Sequence, residues 1–252
     1  MLDKPWQGLS TDLKNEDGEA GVVKRSEING IMRAADAFFR GQGFHLPPFA
    51  YWSPQDWKKK GEEVKEIVDC RLGWDITDFG RGRFCKCGLA IFTIRNGNFA
   101  DLPTGKGKLY AEKVLMFKHD QVCPFHFHWH KMEDIINRGG GELYVQVYNS
   151  NPEEGVAETP VTLSKDGTRT VFDAGTQIRL QPGESVSLPP TVYHKLWGWR
   201  HDVMVGEVSL VNDDNNDNRF LEGVPRFAEI EEDEAPMFLL RDDYERYWGA
   251  RQ

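Results

Sequence analysis

The chain has 252 residues, 39% of them hydrophobic and 28% charged, with a net charge of -9 at pH 7. That length buries a real core as one large β domain or two small ones. The acidic balance argues against nucleic acid or an anionic membrane as main partner and leaves a small-molecule substrate open.

The polar N-terminus "MLDKPWQGLSTDLKNEDGEAG" has no apolar h-region, so it does not read as a signal peptide. No run approaches the about 18 apolar residues of a membrane span. A cytoplasmic location is expected. Cys70, Cys85, Cys87 and Cys123 lack the spacing of a zinc site or a disulfide framework and are expected as reduced thiols.

Residues 1–22 read as an arm with little core-forming pattern. "SEINGIMRAADAFFRGQG" then reads as a helix, with Ser26 as its cap. Ile28, Ile31, Met32, Ala35, Phe38 and Phe39 form its apolar stripe, and Gly41 and Gly43 end it. Pro47 and Pro48 forbid its continuation. "SPQDWKKKGEEVKEIVDCRLG" predicts a second helix, capped by Ser53 with Pro54 at its first position. These two helices are expected to form an extension over residues 23–69 that packs on the remainder.

From about residue 70 the pattern changes to short strands separated by Gly, Pro, Asn and Asp. Asn96-Gly97 ends "GLAIFTIRNG" with a hairpin-turn signal. The expectation is an all-β fold, a sandwich or barrel over residues 70–252, with "MFLLRDDYERYW" closing an edge. The acidic run "EIEEDEAP" reads as solvated surface.

"QVCPFHFHWHKMEDIINRGGGELYV" stands apart. His126, His128 and His130 are three of only seven histidines in the chain. In a strand they share one face, with Phe125, Phe127 and Trp129 on the other. Neutral imidazoles have little reason to converge unless something binds them. His-x-His offers two nitrogen ligands to a divalent ion, Glu133 can fold back to supply an oxygen, and "NRGGGE" supplies a tight turn. Asp134 is a shorter rival to Glu133. His194, approached through Gly183 and Pro189-Pro190, is a third imidazole from a distant strand. Such a His3Glu set leaves open positions on a six-coordinate metal.

These residues resemble the two motifs of the cupin superfamily. The first appears as His126-x-His128-x4-Glu133-x6-Gly140 and the second as Gly183-x5-Pro189-x-Thr191-x2-His194. Asp120 and Thr191 stand where the motifs have glycine, and Gly198 where the second has asparagine. These departures touch turn geometry and leave the four ligand positions intact. His130 falls outside the motif and is expected at the cavity wall, near the substrate. The resemblance implies a jelly-roll β-barrel carrying the two N-terminal helices.

"KRSEIN", "HLPPFAYW", "YAEK", "HFHWHKMEDIINRGGGELYV", "GEVSLVNDD" and "DNRF" further resemble the D-lyxose isomerase family, from about residue 23 to about 240. That likeness implies a metal-dependent aldose–ketose isomerase for D-lyxose and D-xylulose, with D-mannose and D-fructose as a second pair. It also implies manganese, a homodimer, and Lys113 lining the pocket. Iron, cobalt, nickel or zinc suit the same ligands. Alternatives are a phosphosugar isomerase and a metal-dependent cupin dioxygenase.

Isomerisation through an enediol needs a base beyond the ligand Glu133. Glu207, mid-strand in "VMVGEVSLV", is the first candidate, with burial expected to raise its pKa toward the working range. Glu222 and Glu229 follow the polar loop and can close over the mouth. Asp217 and Arg219 are candidate sugar-hydroxyl contacts. Trp129, Tyr193 and Trp197 can stack on a sugar, though core packing is the simpler role for each.

Overall fold

The computed structural model describes residues 22–226 and 229–251, so the expected arm falls outside it except for Val22. β1 (Val22–Lys24) leads into α1 (Arg25–Gly41). α2 (Pro54–Trp57) and α3 (Lys65–Asp69) follow. The strands are β2 (Gly73–Thr77), β3 (Leu89–Arg95), β4 (Tyr110–Phe117), β5 (Val122–Phe127), β6 (Glu133–Ser150), β7 (Val156–Ala157), β8 (Val161–Lys165), β9 (Thr168–Phe172), β10 (Gln177–Leu180), β11 (Ser185–Leu188), β12 (Val192–Leu210), β13 (Arg219–Phe220) and β14 (Glu229–Glu231). A last helix, α4, spans Tyr244–Tyr247. Among the described residues no helix is long and apolar enough to cross a membrane.

α1 buries Ile28, Met32, Ala35 and Phe39, as the stripe predicts. These pack on Trp74, Ile76, Ala90, Phe92, Val114, Met116 and Met204, the outward side chains of β2, β3, β4 and β12. Its start differs from expectation. Lys24 is the N-cap, and Ser26 already lies inside the helix. The Ser26 amide and hydroxyl instead donate to the two Asp233 oxygens at 2.9 and 2.6 Å. Arg25 pairs with Glu232 at 2.7 Å and Asp243 at 2.9 Å, and Asn29 donates to Glu234 at 2.6 Å. The acidic run is exposed, as expected, and three of its carboxylates also clamp a helix N-terminus. Unpaired N–H groups and the helix dipole attract carboxylates there.

The second expected helix is two short ones. Ser53 does cap α2, exchanging hydrogen bonds with Asp56. Gly61 is in extended conformation and breaks the chain before a short 3-10 turn and α3. Asn96-Gly97 does not make a tight hairpin. β3 and β4 pair antiparallel, but a longer connection with a 3-10 turn over Phe99–Thr104 joins them. The Asn96 side chain is used elsewhere, donating to Cys70 O and Asn212 O and accepting from the Asn212 amide.

The large sheet runs β2-β3-β4-β12-β6-β11-β8-β9, with β5, β7, β10 and β13 paired off that path. β6 and β12 are long strands that pair with each other along their length. The N-terminal half of β12 also pairs with β5 and its C-terminal half with β4. They close the sheet into a jelly-roll barrel around Leu89, Ile91, Leu115, Phe117, Ile135, Val145, Leu196 and Val205. "NRGGGE" makes no turn, because β6 runs straight through it.

The glycines serve close approach. A Cβ on Gly140 would meet Asp202 O at 2.2 Å, and one on Gly141 would meet Trp199 O at 2.5 Å. Opposite them β12 slips register between Trp199 and Val203. Before the slip, even-numbered residues (Val192, Leu196) face the barrel core; after it, odd-numbered ones (Val203, Val205) do. An irregularity of this kind re-aims every side chain beyond it.

Candidate metal and active site

β5 ends at Phe127, and a short loop leads from it to Glu133, the first residue of β6. His126 comes from β5, His128 from the loop and His194 from β12. His126 and Cys123 both face inward because β5 carries an irregularity at Pro124-Phe125, against His194 and Leu196. Proline, which has no N–H to place in a ladder, suits such a site.

Each imidazole is oriented the same way. Nδ1 meets a backbone carbonyl: His126 with Pro124 O at 2.9 Å, His128 with Asp217 O at 2.7 Å, His194 with Val192 O at 3.0 Å. A carbonyl only accepts, so each Nδ1 carries the proton and each Nε2 presents a lone pair. Burial, then the neighbouring imidazoles, hold His126 far below the usual histidine range and keep it neutral. The Nε2 atoms of His126 and His194 lie 3.1 Å apart, and the buried His128 Nε2 has no hydrogen-bond partner. Glu133 lies 3.0 Å from His194 Nε2 and 3.5 Å from His128 Nε2. Facing lone pairs and an orphaned nitrogen beside a carboxylate fit one divalent cation.

Thr191, where the cupin motif has glycine, keeps the turn by adopting φ 65, and its amide donates to His128 O at 2.8 Å. Asp120, the other missing glycine, has φ 61. The turns survive without glycine, at the steric cost a Cβ brings in the left-handed region.

The site lines an inward pocket. Its lining mixes apolar side chains, Phe79, Leu89, Leu115 and Phe220, with the three histidines, Glu133, Lys113, Lys131, Glu207, Asp214, Asn218 and Arg226. Glu207 points inward because the β12 slip precedes it. Lys131 Nζ lies 2.8 Å from both Glu133 and Glu207, and Lys113 Nζ lies 3.0 Å from Glu207. Burial would raise the Glu207 pKa, as expected from sequence, but Lys113 and Lys131 outweigh it and hold the carboxylate below its usual range. Glu133 is held well below as well, by Lys131 and His128 against burial. Burial pulls Lys113 down, opposed by Glu207. Burial works the same way on Lys131, but two adjoining carboxylates push it up.

The other candidates sit elsewhere. Glu222 is exposed and paired with Arg81 at 2.6 Å, and Glu229 is exposed on β14; neither lines the cavity. The chain turns after Phe127, which leaves His130 exposed, its ring 5.8 Å from that of Phe99. Arg219 reaches Glu154 at 2.7 Å. Asp217 is buried but organises the loop: its carboxylate accepts from the His130 and Lys131 amides at 2.9 and 3.0 Å, and its carbonyl orients His128. Tyr193 and Trp197 are buried, Trp197 stacked on Tyr144, and neither these nor Trp129 lines the cavity.

Lys131, Asn212, Asp214 and Arg226 were not anticipated. Lys131 lies between His128 and Glu133 in "HWHKMED", which is a usable signal. Arg226 joins Asp75 at 2.6 Å, and Asp214 joins Arg241 at 2.6 Å, pairings between distant segments that no local pattern announces.

The D-lyxose isomerase family model matches residues 23–244. A D-lyxose/D-mannose isomerase of Serratia proteamaculans is 48% identical over 228 residues, covering 89% of this chain and 99% of that one. One from Escherichia coli O157:H7 is 46% identical over 228 residues, covering 89% of this chain and 100% of the other. In fold, the chain is similar to Cellulomonas parahominis L-ribose isomerase, with a TM-score of 0.55 at 15% identity over 83% of this chain and 99% of that one. Matched over the barrel, both histidine segments and the N-terminal helices, this chain belongs to the D-lyxose isomerase family.

Proposed function

We propose that this chain is a metal-dependent aldose–ketose isomerase that interconverts D-lyxose with D-xylulose and D-mannose with D-fructose. The observation that carries this reading is Glu207, an ionised carboxylate inside the cavity between two ammonium groups and beside the His3Glu set. The names of the two bacterial relatives support the sugar pairs. His126, His128, Glu133 and His194 would hold the ion. Manganese is the first choice, and iron, cobalt, nickel or zinc also suit imidazole and carboxylate donors. When bound, such an ion polarises the sugar carbonyl and stabilises developing negative charge.

Glu207 takes the proton from C2 of the open-chain aldose. The C–H electron pair becomes the C1–C2 double bond of the enediol as the C1 carbonyl oxygen gains charge. The O2 hydroxyl proton passes to the C1 oxygen, Glu207 returns its own proton to C1, and C2 becomes the carbonyl. Lys113 and Lys131 donate to the oxygens where charge develops. The apolar side chains of the lining limit water. A base of this kind contributes roughly 10²–10⁴-fold.

Free sugars are the proposed substrates. Lys113, Lys131 and Arg226 each face a carboxylate, an arrangement with no cradle for a phosphate. A dimer is proposed from the family resemblance and is read by light scattering.

The test is incubation of the metal-loaded protein with a panel of aldopentoses and aldohexoses, followed by ketose detection. D-xylulose from D-lyxose and D-fructose from D-mannose are expected. No ketose from any aldose overturns the reading, and strong preference for mannose 6-phosphate over mannose overturns the free-sugar part. Substrate deuterated at C2 separates proton from hydride transfer. Full retention of label at C1, with an unimpaired Glu207→Gln variant, would mean hydride transfer.

A further inference from the structure

Both cavity lysines end on one neutral side chain. Asn212 Oδ1 accepts from Lys113 Nζ at 2.7 Å and from Lys131 Nζ at 3.2 Å. Its Nδ2 donates to Asp214 Oδ2 at 2.8 Å. The amide orientation is thereby settled, with the acceptor facing two ammonium groups and the donor facing a carboxylate. The backbone is held too, since Asn96 accepts from the Asn212 amide at 2.9 Å and donates to its carbonyl at 3.0 Å.

No other residue of this length meets both demands. Aspartate would set one carboxylate against another. Leucine would leave two ammonium groups and a carboxylate short of a partner, a costly state in a buried site. Without the amide, the ion-pair partners left among the described residues are Glu207 for Lys113, and Glu207 and Glu133 for Lys131. Both lysines would then settle more fully on the carboxylate proposed as the base.

We propose that Asn212 is a positioning residue, whose amide holds the Lys113 and Lys131 ammonium groups side by side and shares them with Glu207, so that neither neutralises that carboxylate fully and both can meet sugar oxygens. The inference rests on the proposed isomerase activity. Asn212 touches neither the reacting carbons nor the four metal ligands, so its effect falls on turnover and sugar binding, not on metal affinity.

The experiment compares wild type with Asn212→Ala, with Asn212→Ser as second variant should alanine fail to fold. Three quantities are measured: Mn affinity of the metal-stripped protein by calorimetry, affinity of the loaded protein for the unreactive polyol D-arabitol, and kcat. Expected are Mn affinity within about threefold of wild type and a kcat lower by about ten- to a hundredfold, the usual range for a partner one step removed from the chemistry. Arabitol affinity should weaken by several-fold. An unchanged kcat overturns the proposal. So does a parallel fall in kcat and Mn affinity, because Asn212 would then only be bracing the loop whose Asp217 carbonyl orients His128. If wild type makes no ketose, the isomerase reading fails by itself. The arabitol measurement then decides: weaker binding in the variant supports a role in placing the lysines, and equal binding overturns it.

Discussion

His194 and Glu207 lie on one strand, an odd number of residues apart, and both point into the barrel. In an unbroken strand they would face opposite sides. The register slip between Trp199 and Val203 reconciles them, and Gly140 and Gly141 leave the room it occupies.

Gly140→Ala should therefore harm turnover beyond its cost in stability. Gly140 has φ 89, and the new Cβ would press on the Asp202 carbonyl. Overpacking of this kind costs about 1–3 kcal/mol, and the displaced slip carries Glu207 with it. Gly167→Ala is the control: φ 78 strains it, but nothing lies within 4 Å. Urea unfolding should show a loss in both variants, and kinetics a fall in kcat for Gly140→Ala alone.

His194→Ala should lose its divalent ion and its activity together, whereas His130→Ala should keep both. His130 is exposed and outside the converging nitrogens. Elemental analysis after dialysis reads the difference. Full metal occupancy in His194→Ala would remove that residue from the ligand set.

Glu207→Gln should retain metal and lower kcat by roughly 10²–10⁴-fold, the usual contribution of a general base. Glu222→Gln and Glu229→Gln should turn over like wild type, being exposed and off the cavity wall. A large loss in either of those two, with Glu207→Gln active, would move the base to the mouth.

Thr191→Gly should stabilise the protein. The left-handed φ of 65 costs a β-branched residue about 1–2 kcal/mol, and glycine's greater freedom in the unfolded chain returns about 0.5–1 kcal/mol of that. The net gain of roughly 0.5–1 kcal/mol raises the melting temperature by about 1–4 °C for a chain of this size. Calorimetry checks it, and a lower melting temperature would contradict the strain argument.

Asp214 carries the pH prediction. Burial alone would raise its pKa, but Arg226 and Arg241 bring it well below the usual carboxylate range. A folded-state value below the unfolded one means stability that is fully present above about pH 4 and lost as pH falls through the folded value. Asp214→Asn should cost about 3 kcal/mol or more at pH 7, since a buried pair loses one charge. The gap between the two proteins should narrow below about pH 4 in urea titrations of the metal-stripped forms. A gap independent of pH would show that the asparagine replaces the carboxylate without electrostatic loss.

The convergence of three imidazoles and a carboxylate was legible because its spacing is local: His126, His128 and Glu133 fall within one segment, and Pro189 announces His194. The α1 stripe was legible for the same reason. What escaped depends on distant segments meeting. Lys131 gains meaning only beside Glu207, and Asn212 only between Lys113 and Asp214. A slipped strand leaves no periodic mark, so "NRGGGE" looked like a turn. Exposed charges also hide their partners until a distant helix end is brought against them, as that of Ser26 is against Asp233.

That last contact has a consequence for synthesis. α1 leaves the ribosome ahead of the barrel strands, yet the groups that clamp its N-terminus, Glu232, Asp233, Glu234 and Asp243, follow them. The helix is clamped only after the barrel has been made. A stop codon before Glu232 would therefore be felt far upstream, as a helix that frays while the barrel between them is already built.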